Sequence, residues 1–131
     1  MNYDIRYSET FERGAKILAK IYPSLKKDLA KLAIGRSKTP DIGTPLWHNM
    51  YKVRMAITSK GRGKSGGARV ITCVVYKKEQ VLLAEIYDKA DYASVDEERI
   101  LRNLKAEGFD LYPLNRDLNK SIPKSIKTAA R

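Results

Sequence analysis

The hydrophobic period of this chain changes at residue 51, and that change limits the folds open to it. Tyr51, Val53, Met55 and Ile57 alternate with Lys52, Arg54, Ala56 and Thr58. A period of two is the pattern of a strand with one buried face. Residues 69–76 are β-branched and nearly all apolar, which predicts a central strand, and residues 81–87 predict the next one after a turn at 77–80. Three consecutive strands with short connections pair antiparallel.

Before residue 50 the period is helical. Phe11, Ala15, Leu18 and Tyr22 recur at helix spacing, and Pro23-Ser24 ends that run. A second helix follows, with Leu25, Leu29, Leu32 and Ala33 on one face and Lys26, Lys27 and Lys31 on the other. Gly35 is its expected C-terminal cap, and residues 36–45 are read as a loop. Tyr3, Ile5 and Tyr7 alternate in a short first strand. After the strands, Ser94-Val95-Asp96-Glu97 reads as a capping box that opens a last helix. Ile100, Leu101 and Leu104 form its apolar stripe, and Gly108 ends it. The predicted fold is α+β: two N-terminal helices packed on a small curved, mainly antiparallel sheet, with a C-terminal helix.

At 131 residues and 43% hydrophobic composition the chain is expected to be a single globular unit. We place the folded domain at residues 1–108 and a basic, partly ordered extension at 109–131, where Pro113 and Pro123 interrupt a loosely helical pattern. No apolar run approaches the roughly 20 residues that cross a bilayer, and the N-terminus lacks a signal peptide's apolar region. Cys73 is the single cysteine, which excludes an intrachain disulfide and reads as a buried, inert thiol. The expected compartment is the cytoplasm, with no membrane partner.

Charge is segregated. No acidic residue occurs from 42 to 78, a run holding eight Lys or Arg: Lys52, Arg54, Lys60, Arg62, Lys64, Arg69, Lys77 and Lys78. Residues 79–108 reverse the balance, with eight acidic and four basic groups. Most of the net +11 therefore sits in the middle third, which points to a polyanion. A Gly/Lys/Arg loop is on its own equally consistent with a solvated turn or with generic nucleic-acid affinity.

Several chemistries are disfavoured. Gly63-Lys64-Ser65 looks like the end of a P-loop, but Thr58 occupies the position of the first glycine and a strand follows where a helix is required. One His and one Cys cannot build a zinc site within one chain. His48 has no supporting motif for a catalytic triad. Strand alternation instead gathers Arg54, Arg69, Tyr87 and Lys89 near the glycine-rich loop, as a cationic, aromatic-bearing concavity suited to single-stranded nucleic acid. Each member also has a plain structural explanation: Tyr87 as core, Arg54 as a salt-bridge partner, Lys89 as a turn residue.

The runs Tyr51-Lys52-Val53-Arg54-Met55-Ala56, Ser59-Lys60-Gly61-Arg62-Gly63-Lys64-Ser65-Gly66-Gly67-Ala68-Arg69-Val70-Ile71 and Leu82-Leu83-Ala84-Glu85-Ile86-Tyr87-Asp88-Lys89 together resemble the RelE/HigB-type toxins of bacterial toxin–antitoxin modules, within the RelE/ParE superfamily. The resemblance covers residues 2–107. It implies a ribosome-dependent mRNA endoribonuclease in which the RNA 2′-hydroxyl attacks the adjacent phosphate, with no metal or organic cofactor. It also implies a cognate antitoxin, a helix-turn-helix protein that covers the cationic concavity and through which alone operator DNA is bound.

On that resemblance Arg69 stabilises the phosphorane charge and Arg54 assists or acts on the acid side. Tyr87 stacks on a base or orients the nucleophile. Lys64 completes the catalytic set, with Lys60 or Lys64 as a base should neighbouring cations depress its pKa. Lys52, Lys60, Arg62, Lys64 and Lys89 hold backbone phosphates. Three alternatives stay open: a ParE-type gyrase inhibitor, a non-catalytic nucleic-acid-binding module, and a degenerate toxin that retains only antitoxin binding.

Overall fold

The computed structural model describes residues 2–61, 63–91 and 95–111; Arg62 and the side chains of Lys64 and Ser65 are among those outside the described residues. The elements are β1 (Asp4–Tyr7), α1 (Glu9–Ile21), α2 (Leu25–Lys38), β2 (Thr44–Pro45), β3 (Met50–Met55), the single turn α3 (Gly63–Gly66), β4 (Ala68–Val75), β5 (Gln80–Asp88) and α4 (Glu97–Ala106). The five strands form one sheet in the order β1-β5-β4-β3-β2. The three predicted strands pair antiparallel, as expected, and β1 adds to the far edge parallel to β5.

All eight residues of β4 are buried, because it is central and covered on both faces. On one face, Phe11, Leu18, Leu25 and Leu32 of the N-terminal helices pack against Val53, Met55, Val70, Leu83 and Ile86. On the other, Ile100, Leu101 and Leu104 of α4 pack against Met50, Ile71, Cys73, Leu82 and Tyr87. Leu111 joins this second cluster, so the chain packs on the sheet past the expected boundary at 108. Burial pushes the Cys73 thiol up to about 12, which keeps it protonated and unreactive.

Helix α1 starts on Ser8, whose hydroxyl accepts from the Phe11 amide at 3.0 Å and donates to the Ala84 carbonyl at 2.9 Å. Gly14 lets the helix lie close on β5, since a Cβ there would sit 3.0 Å from the Ile86 carbonyl oxygen.

Three local expectations are corrected. Helix α2 runs through Gly35 to Lys38; the Ser37 and Thr39 hydroxyls donate to the Ile34 and Gly35 carbonyls and satisfy the last turn, so no glycine cap is needed. Thr44–Pro45, inside the stretch 36–45 read as a loop, form β2 and begin a hairpin with β3. His48 and Asn49 both take left-handed backbone at its turn, at φ 63° and 58°. The N-cap of α4 is Asp96, which accepts from the Arg99 amide at 3.1 Å. Glu97 does not close a capping box, because its carboxylate accepts from the Trp47 amide at 2.8 Å. Ser94 lies outside the described residues.

The register of β5 contains a bulge. Thr72 pairs with Leu83 and Ile71 with Glu85, which leaves Ala84 as the extra residue. Before the bulge, Val81 and Leu83 face α1 and α2; after it, Ile86 does. The bulge thus turns Glu85 and Tyr87 to the α4 face.

Candidate nucleic-acid interface

Arg54 pairs with Arg69 across β3 and β4, and Arg69 pairs with Tyr87 across β4 and β5. Directly opposed residues project from the same face, so the three side chains form a row across the sheet, spanning about 10 Å between the outer Cα atoms. The next row, two residues along, is Lys52, Ile71 and Glu85. Lys52 therefore shares the face with Arg54. Lys89 follows the last paired residue of β5, is exposed, and donates its amide to the Gly67 carbonyl at 3.1 Å.

Within the row the environments differ. Arg69 is only 9% exposed, and its Nη1 donates to the Ala68 carbonyl at 3.1 Å. Arg54 is exposed. Two guanidinium side chains placed opposite each other across a ladder repel, and opposed like charges destabilise a pair. Tyr87 is 8% exposed and belongs to the apolar cluster under α4. In this structure the ring is packed in the core, the plain structural explanation, and is not an exposed platform for a base. Arg99 of α4 reaches the bulge and pairs with both oxygens of Glu85, at 2.8 and 3.1 Å. That contact was not anticipated, and it pairs the carboxylate of the neighbouring row on the same face.

Lys60 is a second correction. Its Nζ lies 2.8 Å from the Asp88 carboxylate and 5.5 Å from the centroid of the Tyr22 ring, and Tyr22 also donates to Asp88 at 2.8 Å. The hydrogen bond to Asp88 raises the Lys60 pKa against the opposing effect of burial. Lys60 is therefore no candidate base, and its charge is already committed within the protein. The adjacent Thr58 and Ser59 are tied down as well: Thr58 donates twice to Asp28, and the Ser59 amide donates to Ser24. These contacts fix the start of the basic loop onto the helices. Arg62 and the side chain of Lys64 lie outside the described residues. His48 sits in the turn before β3, at the opposite end of that strand from Arg54, and is remote from the row.

The contact of Asp88 with Lys60 and Tyr22, a latch between the basic loop, β5 and α1, has a pH signature. Burial works to raise the Asp88 carboxyl, but hydrogen bonds from Lys60, the Ala90 amide and Tyr22 outweigh it and hold the pKa below the usual value. A depressed carboxyl stabilises the fold above its unfolded pKa of about 3.9, and that contribution is lost as pH falls through the folded value. Asp88→Asn is expected to cost about 2 kcal/mol at neutral pH and to flatten the acid limb of the stability profile. Urea unfolding at pH 7 and below pH 4 checks this; an unchanged acid limb would mean the latch is not formed in solution.

Among the described residues no helix is long and apolar enough to cross a membrane, and no group of three or more side chains is arranged to hold a metal ion. No protein-family profile matches the sequence, and no curated protein matches it either. In structure, the chain is similar to a mutant of E. coli toxin RelE in the free state, with a TM-score of 0.52 at 18% identity over 83% of this chain and 100% of that one. The chain has a RelE-type fold. At this identity the likeness speaks for the fold, and the rows on the sheet have to carry the chemistry.

Proposed function

We propose that this chain is the toxin of a bacterial toxin–antitoxin pair and that it cleaves mRNA on the ribosome in the cytoplasm. The observation that carries the reading is the row Arg54, Arg69 and Tyr87 on one face of a RelE-type sheet, its two arginines belonging to a segment of eight cations and no acids. Arg69 is the residue suited to a phosphorane. It is always cationic, can grip two phosphate oxygens at once, and sits where water is largely excluded. Arg54 takes the exposed side of the same phosphate, and Tyr87 holds Arg69 in place. Lys52 and Lys89, with Lys64 and Arg62 from the loop, hold flanking phosphates.

In the reaction the RNA 2′-oxygen bonds to the adjacent phosphorus and the bond to the 5′-oxygen breaks. The 2′-proton leaves to a base and the 5′-oxygen takes up a proton. The products are a cyclic or 3′-phosphate and a 5′-hydroxyl. With Lys60 committed to Asp88, Lys64 is the remaining lysine of the pair suggested as base. The antitoxin covers the cationic face and so blocks access of RNA.

The test is 5′-end mapping of a reporter mRNA in a cell-free translation reaction. Codon-register cuts that appear only while ribosomes translate are the expected result. An intact message, with translation unaffected, would overturn the nuclease reading and leave gyrase inhibition or non-catalytic binding.

A further inference from the structure

We propose that the cleft between α2 and the open edge of β3 is a phosphate-binding subsite for the backbone of a single-stranded RNA; this rests on the nuclease reading above. Strand β2 covers β3 only opposite Tyr51 and Lys52. Past that point, beside Val53, Arg54 and Met55, the sheet edge faces α2 across a cleft of about 330 Å³.

Four charged residues line it: Asp28, Lys31, Arg36 and Arg54. Asp28 is spoken for, since it accepts from the Thr58 amide and hydroxyl at 2.9 and 2.6 Å and from the Ser24 hydroxyl at 2.8 Å. Among the described residues Lys31, Arg36 and Arg54 make no side-chain hydrogen bond or ion pair. The cleft is thus cationic, with its one carboxylate already satisfied.

Arg36 is the most telling of the three. Its Nε is buried and has no hydrogen-bond partner. Burial lowers its pKa, and Asp41 counteracts this only from a distance. A guanidinium N–H held out of water without an acceptor costs free energy that an arriving anion offsets. Gly35, one residue before, keeps the approach open: a Cβ there would meet nothing within 4 Å. A glycine inside a helix costs about 1 kcal/mol relative to alanine, so an open wall is the return for that residue here.

Arg54 projects with Arg69 onto the α4 face, and its place at the uncovered edge of β3 also borders the cleft on the α2 side. A strand whose scissile phosphate rests on Arg69 passes Arg54 and places a neighbouring phosphate against Arg36 and Lys31.

The experiment is fluorescence anisotropy of labelled oligouridine with the full chain at a series of salt concentrations. In the Lys31→Gln/Arg36→Gln variant the salt slope is expected to shrink by about 1.4, at roughly 0.7 per lost phosphate contact, with affinity falling about tenfold or more at low salt. Arg36→Lys should restore most of the slope. Gly35→Glu places a carboxylate in the cleft without removing a cation, improves the helix, and should weaken binding as strongly. A double variant that binds oligouridine like the wild type overturns the subsite and leaves the nuclease reading standing. A wild type that binds no oligouridine overturns the subsite, while the nuclease reading stands or falls on the 5′-end mapping above. Unchanged RNA binding with lost affinity for a polyglutamate peptide also overturns the proposal and assigns the cleft to an acidic protein segment.

Discussion

Arg69→Ala is expected to reduce ribosome-dependent mRNA cleavage about 10³-fold, at the upper end of what removal of one preorganised charge-stabilising donor costs. Arg69 lies at the start of β4, directly opposite Arg54 and Tyr87, with 9% of its surface exposed. Its charge is therefore held in place before substrate arrives, and little reorganisation is needed as the phosphorane forms. Arg69→Lys keeps the charge but loses the bidentate fork, and should fall between alanine and wild type. Because the side chain is buried, folding is checked by thermal unfolding, and antitoxin binding should persist in both variants. A folded Arg69→Ala that cuts mRNA at the wild-type rate would remove the row from the mechanism.

The largest stability effect is expected at Gly67→Ala. A Cβ on Gly67 would overlap the Met55 carbonyl oxygen and come within 2.9 Å of the Ile57 amide nitrogen. These are backbone atoms, so no side-chain rotation relieves the clash. The Gly67 carbonyl also receives the Lys89 amide at 3.1 Å, so the residue joins the ends of β3 and β5 at the base of the basic loop. Alanine there should cost about 3 kcal/mol, a fall in melting temperature of roughly 10 °C, and should displace Arg69 two residues downstream. Urea unfolding and cleavage assays on the same preparation check both effects. Wild-type stability would mean that β3 and β4 are further apart at this point than the structure has them.

Much of the fold was legible because the relevant signals are local. Alternation along residues 51–58 determined which of Lys52 to Thr58 face the core, and the unbroken apolar run determined that β4 is central. The same alternation led to the expectation that Arg54, Arg69, Tyr87 and Lys89 gather near the loop, but Tyr87 reaches the face of Arg69 only through the bulge at Ala84. The α+β layering followed from helix and strand order, and the RelE type from the resemblance carried by residues 51–56, 59–71 and 82–89. The missed local features were places where two signals competed. Hydroxyls of Ser37 and Thr39 satisfied a helix end that Gly35 was expected to close, and Asp96 caps the last helix while Glu97 is drawn to the Trp47 amide.

The sequence by itself determined the layer order, the central strand and the cationic middle, since each depends on periods of two or 3.6 and on the count of charges along the chain; the arginine row needed the pairing of β3 with β4 as well. The tertiary structure decided what each cation does. Lys60 and Arg54 stand six residues apart in the same acid-free run, yet one is captured by Asp88, 28 residues away, and the other is exposed. The bulge at Ala84 set Tyr87 beside Arg69, and it is tied to Ser8, 76 residues distant. Such contacts depend on which strands become neighbours, and a one-residue shift in register reverses every side chain beyond it; periodicity along a single segment carries no information about either.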